Sequence, residues 1–145
     1  MSQVIGILSG KGGVGKTSVV ANLGAALTNE FGKNIIILDA NLNSSHLGLH
    51  LGMYEDLPVT LREVLKKNMP VSYAIYVHPS TGIRIVPAAL SGDGVKVTTA
   101  KLRNITKKLT SDYELVIMDC PPGLGKESVT AIGAIDSGLI VTTPD

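Results

Sequence analysis

Four residues near the start of the chain have the types and the spacing to hold a chain of phosphates. Gly10, Gly15, Lys16 and Thr17 satisfy the pattern G-x-x-x-x-G-K-[ST]. Glycines there let backbone N–H groups turn inward around phosphate oxygens, which side chains would otherwise obstruct. Lys16 would reach the β- and γ-phosphates of a nucleotide, and the Thr17 hydroxyl would ligate Mg²⁺. The pattern carries weight only where a strand leads in and a helix leads out. Here an apolar run precedes it and a helical pattern follows, and that outweighs a glycine-rich turn of no chemical significance.

A second group with metal chemistry lies far along the chain. Asp119 closes the apolar run Leu115-Val116-Ile117-Met118, which puts a carboxylate at a strand end where it can hold Mg²⁺ directly or through a water. Pro121-Pro122-Gly123 follows as a stiff, bent loop with one permissive position. The Gly123 N–H could meet a γ-phosphate there and so tell a triphosphate from a diphosphate. Asp39 closes another β-branched run in the same way.

These groups need elements to carry them. Gln3–Leu8 reads as a strand, 16–31 as a helix stopped by Gly32, and 34–38 as a buried strand. The stretch 40–57 alternates Leu47, Leu49 and Leu51 with glycine and histidine, and is expected to be loop with short helical pieces. Thr60 and Glu63 form a capping box for a helix over Leu61–Lys67, and Pro70 opens a helical turn to about Ile75. Next come a strand at 82–86, a loop at 91–94, an amphipathic helix at 97–109, a strand at 113–118, a helix at 127–135 and a strand at 138–142. The alternation predicts an α/β fold with a mostly parallel sheet of five strands and helices on both faces. Ligands in such folds sit beyond the carboxyl ends of the strands, where Ser9, Asp39 and Asp119 converge.

Composition agrees. The 145 residues make one domain-sized unit, 44% apolar but only 3% aromatic, as an aliphatic parallel-sheet core requires. A net charge of +1 gives no support to nucleic-acid binding. One cysteine, no signal-peptide pattern and no membrane-length apolar run predict a cytoplasmic protein.

The run Lys11-Gly12-Gly13-Val14-Gly15-Lys16-Thr17 resembles the deviant Walker A motif of the MinD/ParA family of P-loop ATPases, in which a lysine stands just after the first glycine. The match continues through Asp39 and the stretch 41–51, the switch I region, and Asp119-Cys120-Pro121-Pro122-Gly123, the switch II region. Leu47-Gly48-Leu49-His50-Leu51-Gly52 and Val86-Pro87-Ala88 look closest to MinD-type members. The resemblance implies ATP or ADP with Mg²⁺, bound by Gly10, Lys11, Gly12, Gly13, Val14, Gly15, Lys16, Thr17, Ser18 and Gly123. Thr17, Asp39 and Asp119 would serve the metal. It implies an ATP-dependent homodimer in which Lys11 reaches the partner's nucleotide, as an arginine finger does. It further implies a regulatory protein partner and a place in cell division, at the inner face of the membrane.

Many members of that family carry a second carboxylate two residues after the one matching Asp39, and it helps place the attacking water. This chain has Asn41 there, which can orient a water but cannot accept a proton. Catalysis would rest on Lys11, Lys16, Asp39 and Asn41, with slow or partner-stimulated hydrolysis. MinD-like proteins run on for about another hundred residues, ending in an amphipathic membrane helix. The sequence is thus expected to be the N-terminal part of such a domain, 1–145, or a truncated member. A binding module with little hydrolysis and a ParA-type partitioning ATPase stay open beside the division switch. No [NT]-K-x-D guanine-reading motif appears, so ATP rather than GTP follows from the resemblance alone.

Other candidates read as ordinary. His46 and His50 stand four apart but with Gly48 between them, which favours a loop or packing role over metal binding. His78, before Pro79, reads as a turn residue, Cys120 as a buried thiol, and Lys66-Lys67 and Lys107-Lys108 as solvated helix faces.

Overall fold

The structure, a computed structural model, describes residues 1–53, 57–89 and 95–144, so the loop expected at 91–94 lies outside the described residues. Strand β1 (Gln3–Leu8), helix α1 (Lys16–Asn29) and strand β2 (Ile35–Asp39) follow in order. Then come α2 (Leu47–His50), α3 (Leu61–Lys67), a 3₁₀ turn (Val71–Ala74), β3 (Tyr76–Val77) and β4 (Arg84–Val86). Helix α4 (Thr99–Leu109), strand β5 (Leu115–Asp119), helix α5 (Lys126–Ile132) and strand β6 (Ser137–Ile140) complete the chain. One six-stranded sheet has the order β3-β4-β2-β5-β1-β6. Every neighbouring pair is parallel except β3 with β4.

The inner strands bury both faces, and alternate residues go to different layers. Ile36 and Leu38 of β2 meet α3 and α4 through Leu61, Val64, Leu102 and Ile105. Ile35 and Ile37 point the other way, into a layer with Val20 of α1 and Leu47 of α2. Each fully buried aliphatic side chain is worth about 1.5–3 kcal/mol, so β2, buried along its whole length, cannot be moved cheaply. Helix α1 lies close over it because Gly24 has no Cβ; one placed there would stand 2.6 Å from Ile37 Cδ1.

The expected fold class holds, with one strand more than the five expected. Tyr76–Val77 pairs antiparallel with β4 at the sheet edge. It is two residues long, and a turn closed by His78 N–H to the Ile83 carbonyl at 2.8 Å joins it to β4. So short a run carries no periodicity of its own. The capping box at Thr60 and Glu63 forms as expected. The last helix is shorter than expected, ending at Ile132 with Gly133 as its cap. Among the described residues no helix is long and apolar enough to cross a membrane.

Candidate phosphate-binding site

The carboxyl ends of β1, β2 and β5 stand side by side, with Asp39 and Asp119 as register partners and Ile7 opposite Asp119. The loop from Gly10 to Gly15 leaves β1 over these ends and enters α1. It turns through left-handed backbone at Gly13 (φ 76°) and Gly15 (φ 92°), where a side chain would be strained. A Cβ at Gly10, Gly12, Gly13 or Gly15 would meet no atom within 4 Å, so the loop borders open space. Helix α1 begins with no side-chain cap and no acidic residue in its first turn. Its free N–H groups and positive end therefore face a cleft of about 360 Å³ lined by Gly12, Gly13, Val14, Gly15, Lys16, Thr17 and Ser18.

Lys16 is 7% exposed, and its Nζ donates to Asp119 Oδ1 at 2.5 Å. The Thr17 hydroxyl donates to the other oxygen of the same carboxylate at 3.2 Å. Lys16, Thr17 and Asp119, from two separate motifs, thus close on one another across more than a hundred positions of sequence.

Asp39 is held differently. The Ser45 hydroxyl donates to its Oδ2, and the Asn41 N–H donates to its Oδ1 at 3.0 Å. Burial, and then the charge of Asp119 beside it, pushes its carboxyl up to about 7, against the lowering effect of these hydrogen bonds and of Lys16. Two strand-end carboxylates side by side repel one another, a cost that a bound cation removes. Among the described residues no group of three or more acidic, histidine or cysteine side chains comes together as a metal cage. Mg²⁺ is commonly held by one or two carboxylates, a hydroxyl and phosphate oxygens, so Thr17, Asp39 and Asp119 suit it without such a cage.

The other expected residues fall around this centre. Asn41 lines the cleft, but its side-chain amide donates to the Ser44 carbonyl at 3.1 Å and its Oδ1 accepts from the Ser44 hydroxyl at 3.3 Å. The Gly123 N–H, expected at a γ-phosphate, here donates to the Ser9 carbonyl at 2.9 Å. Gly10 and Lys11 are exposed. The Ser9 hydroxyl is buried without a hydrogen-bond partner at the cleft's base, a polar atom of the kind that marks a site made for something more than protein. Cys120 is a buried thiol whose pKa burial, then Asp119, pushes up to about 12, which leaves it inert.

Ser45 was not legible as a site residue, since only the folded loop brings its hydroxyl onto Asp39. His78 is a turn residue as expected, and also a tie. Its Nε2 stands 2.7 Å from the Leu51 carbonyl, which can only accept, so that nitrogen carries the proton.

A glycine loop between a buried parallel strand and a helix, with a lysine and a hydroxyl closed on the carboxylate of a neighbouring strand, defines a P-loop nucleotide-binding fold. The family model described as an AAA domain matches residues 2–145. The chain belongs to that family, among the P-loop ATPases of the MinD/ParA type. It is 39% identical, over all of its length and 54% of the relative's, to a protein of Methanocaldococcus jannaschii named as an uncharacterised ATP-binding protein. The septum site-determining protein MinD of Pyrococcus horikoshii, solved as its Mg-ADP complex, superposes with a TM-score of 0.89 at 35% identity, covering 100% of this chain and 59% of that one. MinD in the MinC:MinD cell division complex of Aquifex aeolicus superposes with a TM-score of 0.85 at 29% identity, over 99% of this chain and 57% of that one. The chain spans about half the length of the curated relatives it matches.

Proposed function

We propose that residues 1–145 form the nucleotide-binding unit of a MinD-type ATPase switch acting in the placement of cell division. The observation that carries this reading is the closure of Lys16 and Thr17 on Asp119 beneath an open, uncapped glycine loop. In that arrangement the N–H groups of Gly10–Ser18 receive the phosphates of ATP or ADP. Lys16 exchanges Asp119 for a phosphate oxygen, and Thr17, Asp119 and Asp39 serve Mg²⁺. The Mg-ADP complex of the Pyrococcus relative supports these ligands.

Lys11, exposed in the loop, suits a role in trans, completing the site of a second copy in an ATP-bound homodimer. A regulatory partner is supported by the MinC complex of the Aquifex relative. Membrane association and a cytoplasmic location belong to this reading through the family.

A second reading has one observation in its favour. Asn41 has its amide engaged by Ser44 and cannot accept a proton, which favours a nucleotide-binding module that hydrolyses slowly unless a partner acts on it. Nothing in a net charge of +1 favours a DNA-partitioning role.

Calorimetry with Mg-ADP and Mg-ATP, together with size measurement in each nucleotide, tests the first reading. Lys16→Ala is expected to lose about a hundredfold or more in affinity, as a buried cation facing phosphate should. Lys11→Ala is expected to keep nucleotide binding as a monomer and to lose the ATP-dependent dimer. Equal effects of the two substitutions would refute the role of Lys11 in trans, and an unchanged chain that binds neither nucleotide would overturn the whole reading. Binding without dimer or turnover would favour the second.

A further inference from the structure

One polar pair at the cleft belongs to neither the loop nor the carboxylates. His50, the last residue of α2, has its Nε2 2.9 Å from the Ser18 hydroxyl in the first turn of α1. Its ring is exposed, yet its backbone is anchored on both sides. Leu47, one turn earlier, is fully buried in the layer that holds Ile37 and Val20. Leu51, one residue later, has its carbonyl bound by His78. His50, His46 and Ser18 all line the cleft bordered by Gly12–Thr17.

The hydroxyls of Thr17 and Ser18 divide the cleft between them. Thr17 is directed to Asp119, at the end where metal and γ-phosphate belong. Ser18 is directed to His50 instead. A nucleotide whose β-phosphate lies in the loop has one more phosphate, the α-phosphate, on the side of the nucleoside. Ser18 and His50 are donors that the γ-phosphate end does not use.

We infer that His50 is a nucleotide contact, holding the α-phosphate of ADP or ATP together with the Ser18 hydroxyl. This rests on the nucleotide-binding reading above and adds a residue from outside the loop. An imidazole N–H and a hydroxyl converging on one phosphate make charge-assisted hydrogen bonds, stronger than the neutral bond they make with each other. The contact gives α2 a direct link to the nucleotide. If the bond with Ser18 instead only pins α2 to α1, its loss affects stability and leaves affinity alone.

Titrating the unchanged chain, His50→Ala and His50→Gln with Mg-ADP and Mg-ATP separates these cases. His50→Ala is expected to weaken both nucleotides alike by about tenfold, the loss of one hydrogen bond to a charged group. Glutamine keeps an N–H donor at similar reach and should restore most of that loss. Nucleotide-free melting curves of the three proteins should agree within about 2 °C. Unaltered affinity in His50→Ala overturns the inference, as does a lowered melting temperature with unaltered affinity. A loss confined to Mg-ATP also overturns it, since that places the ring at the γ-phosphate. Should the unchanged chain bind neither nucleotide, the nucleotide reading fails and takes this inference with it. Normal binding by both the unchanged chain and His50→Ala removes the inference alone.

Discussion

Two segments leave the sheet at the ends of β1 and β2, on either side of β5, and border the same cleft, and they are built on opposite terms. The loop from Gly10 to Gly15 is shaped by its own residues. Its left-handed positions are glycines, and a Cβ at either of them would meet nothing within 4 Å. The segment after β2, from Ala40 to Met53, has no such local logic. It is shaped by what it touches: Ser45 on Asp39, Leu47 in the core, His50 on Ser18 and Leu51 on His78. A locally encoded loop can present backbone N–H groups before any ligand arrives. A segment held by scattered tertiary contacts has several points at which a ligand or partner can shift it.

Substitutions should separate the two modes. Leu47→Ala removes the fully buried anchor of the second segment and should cost about 2–5 kcal/mol of stability by denaturant unfolding. A cost near zero would mean that the polar ties alone hold α2. In the first segment, Gly15→Ala adds a Cβ that meets nothing, so its penalty is the left-handed backbone alone, about 1–2 kcal/mol. Nucleotide affinity should fall with it while circular dichroism stays that of the folded chain. Retained affinity would show that the loop tolerates another conformation.

The smallest effect is a control on local encoding elsewhere. Burial of Glu63 raises its carboxyl, but the hydrogen bonds from the Thr60 hydroxyl and backbone outweigh this and leave it below its ordinary value. A lowered folded-state pKa stabilises the fold above the unfolded value and loses that contribution as pH falls through the folded one. Melting temperature followed from pH 7 to about 3 should therefore drop further for the unchanged chain than for Glu63→Gln, by no more than about 2 °C at a site only half-buried. Parallel curves would show that the capping box contributes nothing measurable.

The order of the helices and of every strand but β3, the phosphate loop and the capping box could all be read from residue types, because each depends on neighbours within a few positions. Glycine at a left-handed turn, threonine and glutamate three apart, and β-branched runs between breakers need no distant partner to take their form. Lys16, Thr17 and Asp119 could be named as a site because two short motifs each bring their own signal. Their closure on one carboxylate, by contrast, is a product of parallel pairing between β1 and β5.

What only the tertiary structure decided lies where residues act through distant partners. Tyr76–Val77 became a strand because β4 offered an edge. His46 and His50, whose spacing favours a loop or packing role over metal binding, line the cleft on either side of the buried Leu47. The sequence by itself determined that this chain has a P-loop and the carboxylates to go with it, since those signals are local. Which further side chains share that cleft depended on the folding of 41–53 against α1 and the β3–β4 turn, and no short-range pattern records contacts made across such separations.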